Sequence, residues 1–154
     1  MLFRSDEDVV IAGLLHDAVE DAGASREEIA GEFGPCVADL VNWCTEIKLD
    51  DQGRKRPWAD RKKDHLDSLA KAPTEAKGVV LADKLHNLAA ILIDLADGRD
   101  VWSLFNASRD QELWYYRAAI ELCGQGDPRL ERLGAECRAI LAKIENATPV
   151  ENKA

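Results

Sequence analysis

The chain has 154 residues, of which 46% are hydrophobic, so it is long enough to bury the core of a single domain. The net charge of −9 argues against an overall basic surface for nucleic acid, although it is compatible with a local basic pocket. No apolar run is long enough for a membrane span, and the start of the sequence lacks the layout of a signal peptide. These features predict a cytoplasmic protein without a membrane or nucleic-acid partner. The four cysteines are far apart, which favours small apolar core residues over metal or redox groups.

Hydrophobic residues recur at helical spacing nearly throughout and strand-like alternation is absent, so the predicted class is all-α. A capping box at Ser25–Glu28 and the Gly34–Pro35 step mark two boundaries, and 48–57 is the most loop-like segment. We expect a single domain over 1–145 and a disordered tail over 146–154. The predicted helices span about 7–21, 25–34, 35–44, 58–70, 74–95, 108–123 and 128–144.

The stretch "GLLHDAVEDAG" places an imidazole and three carboxylates within six residues. On a helix His16 and Glu20 share a face, because residues four apart are neighbours. Asp17 and Asp21 form a second pair beside the first. Clustered carboxylates repel each other and raise their pKa values unless a cation lies among them, and this ligand set suits a transition-metal ion. The alternative is a solvated helix end with an ordinary histidine.

A second polar group lies in the middle of the helix predicted over 74–95, which is apolar almost all round and is therefore expected to be central. A lone carboxylate such as Asp83 in such a helix would cost several kcal/mol unless it is paired or bound to a metal. We expect its partner to be a metal shared with His16, and the alternative is a salt bridge to a basic residue. His86 is expected in the core, with a place in a pocket wall as the alternative.

A third group is cationic. The stretch "GRKRPWADRKK" includes Arg54 and Arg61. Such a run is usually a solvated face. The alternative is a mobile loop that brings these arginines to substrate phosphates beside the metal. Lys84, next to the central carboxylate, is a better-placed phosphate contact. In the later stretch "LWYYR" we expect mostly packing residues, although one of the tyrosines, with Arg117, could border a pocket.

The motifs "LLHDAVEDAG", "EFGPCVADLV" and "LADKLHNL" together resemble the HD-domain phosphohydrolases, over roughly residues 6–123. They look most like the branch that contains the hydrolase domain of RelA/SpoT enzymes and the small alarmone hydrolases. The resemblance implies an HD-like irregular helical bundle of about seven helices and a divalent metal, typically Mn²⁺. It further implies metal ligation by His16, Asp17 and Asp83, activation of the attacking water by Glu20 and Asp21, and nucleotide binding by Lys84 and Asn87.

The reaction implied by this resemblance is removal of the 3′-pyrophosphate from guanosine 3′,5′-bis(diphosphate) (ppGpp). A metal lowers the pKa of water, a carboxylate within reach takes the proton, and nearby cations neutralise the phosphates, so these residue types suit the reaction. The alternative function is a non-catalytic HD-like module that binds a nucleotide or a protein partner.

The chain departs from the family in one respect. The family carries another metal-binding histidine in an H-P motif on an upstream helix, and neither His65 nor His86 matches it. We therefore expect a site with three of the four protein ligands and an open side. We also expect a homodimer, formed through the apolar surface that the missing N-terminal helices would cover.

Overall fold

The computed structural model describes residues 6–147. The start of the sequence and most of the expected tail, residues 1–5 and 148–154, lie outside the described residues. Within the described part the chain is all-α, as predicted, and none of its helices is long and apolar enough to cross a bilayer. The helices are α1 (Asp6–Leu15), α2 (Ala18–Ala22), α3 (Arg26–Phe33), α4 (Pro35–Cys44), α5 (Trp58–Lys71), α6 (Thr74–Ala96), α7 (Arg109–Cys123) and α8 (Pro128–Asn146), with a 3₁₀ turn at Trp102–Leu104.

Local signals in the sequence set several helix boundaries. Ser25 and Ser108 each begin a helix with a complete capping box. The serine hydroxyl accepts from the backbone N–H of the residue three positions later, and the side chain of that residue accepts from the backbone N–H of the serine. Gly34, at φ +92°, ends α3. Pro35 is suited to the first position of α4, because the N–H that proline lacks would have no partner within the first turn of a helix. The sequence therefore predicted these ends to within a residue.

The first predicted helix is broken in two. α1 ends at Leu15 and α2 begins at Ala18, so His16 and Asp17 lie in the interruption. Nδ1 of His16 lies 2.7 Å from the carbonyl oxygen of Gly13, one of the last carbonyls of α1 that have no partner within the helix. The side chain thereby caps the end of α1. This break accounts for eight helices where the sequence predicted about seven.

α6 is the central helix, as expected. It packs against α1, α4, α7 and α8, and its side chains Leu81 and Leu88 are fully buried. Asp83 and Asn87 lie between these leucines in sequence, so the polar residues of α6 are set in the middle of the core helix. The packing of α6 against four helices fixes the backbone of Asp83 and Asn87, because a close-packed interior resists displacement.

The end of α7 lies against α8 at two glycines. A Cβ atom built on Gly134 would lie 2.9 Å from Cα of Gly124, and one built on Gly124 would lie 3.1 Å from Cα of Gly134. Both contacts are with backbone atoms, which cannot move aside as a flexible side chain can. The contact between these two helices therefore requires glycine at both positions.

We expect Gly134→Ala to lower the free energy of unfolding by about 1–3 kcal/mol, because the added methyl forces the two backbones apart. Gly31→Ala is the matched control, since it is also helical and a Cβ there meets nothing within 4 Å. The control should stabilise the protein by about 0.5–1 kcal/mol through helix propensity. Urea unfolding of both variants measures the difference, and equal shifts in the two would contradict the prediction.

Candidate active site

The helix break and the central helix bring His16, Asp17 and Asp83 together. Nε2 of His16 lies 3.1 Å from Oδ2 of Asp17 and 3.3 Å from Oδ1 of Asp83. The two motifs, which are far apart in sequence, thus meet at one imidazole nitrogen. This is the convergence that the sequence predicted.

The hydrogen bond to Gly13 determines which nitrogen of His16 carries the proton. A carbonyl oxygen can only accept, so Nδ1 must be the donor. In the neutral ring Nε2 then carries a lone pair, and this buried atom has no hydrogen-bond partner in the described residues. A lone pair facing two carboxylates is unfavourable unless a cation, either a proton on Nε2 or a metal ion, lies between them. Metal-binding histidines commonly donate their other N–H to a backbone carbonyl in this way.

The donor atoms also suit a divalent ion in their spacing. Adjacent ligands of an octahedral ion with bonds of about 2.1 Å lie roughly 3 Å apart, close to the distances from the His16 nitrogen to the two carboxylates. Across residues 6–147 no group of three or more His, Cys, Asp or Glu side chains lies in an arrangement that could hold a metal ion as it stands. The observation that favours a cation here is therefore the short approach of two carboxylates to one nitrogen of His16.

Asp83 is held as an anion. Burial raises the pKa of its carboxyl, but Lys84, His16 and Asn87 outweigh that effect and lower the pKa below the usual value. Nζ of Lys84 lies 2.7 Å from one oxygen of Asp83, and Nδ2 of Asn87 donates to the other at 2.8 Å. The salt bridge that was the alternative partner for Asp83 is thus present, alongside the approach of His16.

Asp17 has the opposite shift. Burial and the neighbouring carboxylates, chiefly Asp83, raise the pKa of Asp17, while His16 lowers it. Burial is the larger cause of this rise, and the crowding of like charges that the sequence predicted adds to it. A cation at this point would relieve the crowding.

The two predicted water-activating acids have different surroundings. Glu20 lines the cavity, and its carboxylate accepts from the backbone N–H of Glu46 at 2.6 Å and lies 2.9 Å from Nζ of Lys48. Asp21 is 73% exposed, lies 3.6 Å from the same ammonium and does not line the cavity. Glu20 is therefore fixed in a position that faces the site, and the role of Asp21 stays a prediction.

Neither of the two predicted phosphate-binding arginines lines the cavity that holds His16. Arg54 is largely exposed in the loop after α4 and pairs with Asp50. That loop is closed by a bridge between Leu49 and Lys55. Arg61 is buried on α5 and does not line the cavity that holds His16, although it lines a neighbouring one.

Glu46 is a buried residue of the site that the sequence did not reveal. Its carboxylate accepts from Nη1 of Arg61 and from Nζ of Lys62, each at 2.6 Å. Burial alone would raise the pKa of Glu46, but Lys62 and Arg61 lower it below the usual value. Glu46 thus binds Arg61 and Lys62 through its carboxylate, and it binds Glu20 through its backbone N–H.

Helical spacing on α5 offered a signal for one further residue of the site, His65. Trp58, Arg61, His65 and Leu69 recur at three- and four-residue intervals on α5, and the last three are buried. His65 accordingly lies in the site, with Nδ1 2.8 Å from Oη of Tyr115 on α7. The expectation that a tyrosine of α7 could border a pocket thus applies to Tyr115, whereas Arg117 is exposed.

His86 is exposed, so its expected place in the core is wrong. The histidine lies on a stripe of α6 that faces solvent and also carries Ala82, Ala90 and Ile93. These apolar residues made the helix look buried on every side.

The site residues surround a cavity of about 150 Å³. A second cavity of about 230 Å³ adjoins it and shares Lys62, Lys84 and Tyr115 with it. The main cavity is lined by His16, Asp17, Glu20, Cys44, Glu46, Lys62, His65, Val79, Val80, Asp83, Lys84, Asn87 and Tyr115.

A family model for the HD domain matches residues 2–110, a range that contains both motifs and the convergence at His16. The chain belongs to the HD-domain family. Its fold class and the resemblance noted in the sequence are therefore confirmed. The HD-domain assignment also makes a divalent metal the expected cofactor of this site.

Relatives of this HD-domain chain include the guanosine-3′,5′-bis(diphosphate) 3′-pyrophosphohydrolase MESH1 of Drosophila melanogaster. That protein is 39% identical over 118 residues, which are 76% of this chain and 59% of MESH1. The chain thus spans about three-fifths of that relative's length. The structure of lmo0812 from Listeria monocytogenes EGD-e is 33% identical with a TM-score of 0.72, and covers 91% of this chain and 90% of that one. The structure of a metazoan orthologue of SpoT, described as hydrolysing ppGpp, is 29% identical with a TM-score of 0.70. The match covers 94% of this chain and 73% of that one.

We expect Glu46→Gln to lower the free energy of unfolding by about 3–5 kcal/mol, because it leaves the buried charges of Arg61 and Lys62 without their anion. Asp64→Asn is the control, since it removes the half-exposed partner of Arg56. The control should cost no more than about 1 kcal/mol. Urea unfolding of the two variants tests this, and a Glu46→Gln protein as stable as the control would refute the structural role of the buried carboxylate.

Proposed function

We propose that this HD-domain protein is a metal-dependent phosphohydrolase that removes the 3′-pyrophosphate from ppGpp. The observation that carries the proposal is the Nε2 lone pair of His16, held by Gly13 so that it faces Asp17 and Asp83. The activities named for MESH1 and for the SpoT orthologue support this choice of substrate.

In this proposal His16, Asp17 and Asp83 hold the divalent cation, for which we propose Mn²⁺ because imidazole and carboxylates together suit a first-row transition metal. When bound, such a cation lowers the pKa of a water molecule and polarises a phosphoryl oxygen. The protein contributes the geometry. Lys84 and Asn87 keep the carboxylate of Asp83 ionised and fixed in orientation.

Glu20 is the proposed general base. Its carboxylate is held from behind by the N–H of Glu46 and by Lys48, so it stays directed at the cavity. It takes a proton as the oxygen of the attacking water bonds to the phosphorus on the ribose 3′-oxygen. The bond between that phosphorus and the 3′-oxygen breaks, and the 3′-oxygen gains a proton as pyrophosphate leaves. Asp21, beside the same lysine, is the proposed second acid.

The cationic wall of the cavity is proposed to bind the substrate phosphates. Nζ of Lys62 lies 4.3 Å from the ring centroid of Tyr115, and Nζ of Lys84 lies 5.5 Å from it. Both ammonium groups line the cavity, and each has donors beyond its single carboxylate bond. Asn87 completes this wall, whereas Arg61 acts through Glu46. Arg54 stays a predicted contact that needs movement of its loop.

We expect Asp83→Ala to reduce pyrophosphate release from ppGpp by about 100-fold or more, because it removes a ligand and leaves Lys84 without its anion. Asp94→Ala is the control on the same helix, since within the described part of the chain the Asp94 side chain pairs only with exposed Arg99. The assay follows pyrophosphate release with added Mn²⁺ and again after chelation. Binding of Mn²⁺ is measured in parallel by the electron paramagnetic resonance of the free ion.

Each outcome has a distinct meaning. Loss of both Mn²⁺ binding and turnover in Asp83→Ala supports the proposal. Activity that survives this substitution, or survives chelation, removes Asp83 or the metal from the mechanism. A wild-type protein that binds ppGpp without releasing pyrophosphate would instead support the non-catalytic binding module.

We also propose a cytoplasmic location. All four cysteines are free, and the pKa values of the Cys123 and Cys137 thiols are raised to about 11 by burial, which makes them unreactive. Unpaired thiols are usual in a reducing compartment. Fractionation of cells that express the protein, with detection by antibody, tests the location.

We further propose a homodimer formed through the outer face of α1. Val10 and Leu14, four residues apart, are 62% and 82% exposed on this face, whereas Ala12 is fully buried. Burying such residues against a second copy would remove apolar surface from water.

We expect Leu14→Glu to convert the dimer to a monomer, since it places a charge in the apolar contact. Leu104→Glu is the control, because Leu104 is 80% exposed but lies on the 3₁₀ turn. Sedimentation velocity over a range of concentrations gives the result. A wild-type protein that stays monomeric at high concentration rules the dimer out.

A further inference from the structure

The site contains a second imidazole whose outer nitrogen is unpaired. His65 is only 7% exposed, and its Nε2 atom has no hydrogen-bond partner in the described residues. The ring lines the main cavity on the side of Lys62 and Lys84. A buried polar group of this kind requires a partner, because leaving it unpaired costs free energy.

Tyr115 determines what kind of partner is needed. Its hydroxyl is 2.8 Å from Nδ1 of His65, and no other hydrogen bond of that hydroxyl occurs among residues 6–147. The hydroxyl proton is best used if it is donated to Nδ1, which places the ring proton on Nε2. Burial raises the pKa of Tyr115 and lowers that of His65, with Lys84 adding to the latter effect, so the hydroxyl stays protonated and the ring stays neutral. Nε2–H is then a donor for which no acceptor lies among residues 6–147.

The surrounding charges select an anionic acceptor. The carboxylates of the cavity wall nearest to α5 are already paired, Glu46 with Arg61 and Lys62, and Glu20 with Lys48. The ammonium groups of Lys62 and Lys84 lie over the ring of Tyr115, so cations border the donor.

We propose that Nε2–H of His65, oriented by Tyr115, donates a hydrogen bond to a phosphoryl oxygen of the bound ligand. The identity of that ligand as the pyrophosphate group of ppGpp rests on the proposed function. His65 is thus a binding residue and Tyr115 is its positioning residue.

Two measurements test this assignment, both with inorganic pyrophosphate as the probe and Mg²⁺ as a diamagnetic cation. The first is the ¹⁵N and ¹H spectrum of the imidazole groups in the wild-type protein. We expect the His65 ring to be neutral with its proton on Nε2, and we expect this N–H signal to shift when pyrophosphate is added. Tyr115→Phe should mix the two tautomers, because Nδ1 loses its donor.

The second measurement is pyrophosphate affinity by calorimetry. We expect His65→Leu to weaken binding by roughly tenfold, the factor that goes with one hydrogen bond to a charged group. His65→Gln should restore part of the loss, since its amide can donate from a similar position. His86→Gln is the control, because this imidazole is exposed and does not line the cavity.

The outcomes separate this inference from the proposed function. A ring proton on Nδ1, a His65 signal unchanged by millimolar pyrophosphate, or unchanged affinity in His65→Leu overturns the inference even if ppGpp is hydrolysed. The expected shifts in a protein that releases no pyrophosphate from ppGpp retain His65 as a phosphate donor and reject the proposed reaction. If His65→Leu does not fold, the wild-type spectrum alone decides.

Discussion

The hydrogen bond between His16 and Gly13 is the interaction on which the rest of the site depends. It caps α1 with a side chain, and α1 ends at Leu15, whereas the sequence pattern predicted a helix that continues to about residue 21. The same bond directs the lone pair of Nε2 towards Asp83. One contact therefore meets the structural requirement of a helix end and orients the nitrogen for which we propose metal ligation.

The buried polarity of the site is compensated mainly in pairs. Asp83 is paired with Lys84, Glu20 with Lys48, and Glu46 with Arg61 and Lys62. Such pairs offset the desolvation of each charge only if their geometry is good and their other hydrogen bonds are made. Among residues 6–147 the buried side-chain nitrogens without a hydrogen-bond partner are Nε of Arg61 and the ring atoms Nε2 of His16 and Nε2 of His65. Nε2 of His16 faces carboxylates and therefore requires a cation, whereas Nε2 of His65 borders ammonium groups and therefore requires an anion.

Most of the fold could be predicted because its signals are local. The capping boxes at Ser25 and Ser108 and the Gly34–Pro35 step each act within four residues. The break at His16 could not be predicted in this way, since the hydrophobic pattern runs through it. His86 was misplaced because alanines on its face of α6 carry no information about burial.

The site itself was predictable only in part, for a related reason. The two motifs announced His16 and Asp83 through residue types that a core helix does not otherwise use. Glu46 gave no such signal, and the spacing of His65 indicated only that it lies on the buried face of α5, because their partners lie 15 and 50 residues further along the chain. A glutamate at the end of a helix, or a histidine in a charged one, acquires its role only when α5 and α7 meet. Contacts of this range are set by tertiary packing, which no local pattern encodes.

The position of α7 connects the two halves of the cavity. Tyr115 binds His65 through its hydroxyl, while its ring lies within reach of Lys62 and Lys84. Lys84 in turn bonds to Asp83, which approaches His16. The proposed metal ligands and the proposed phosphate-binding wall are therefore joined through Lys84, and a displacement of α7 would disturb the two ammonium groups before it reached Asp83 and His16.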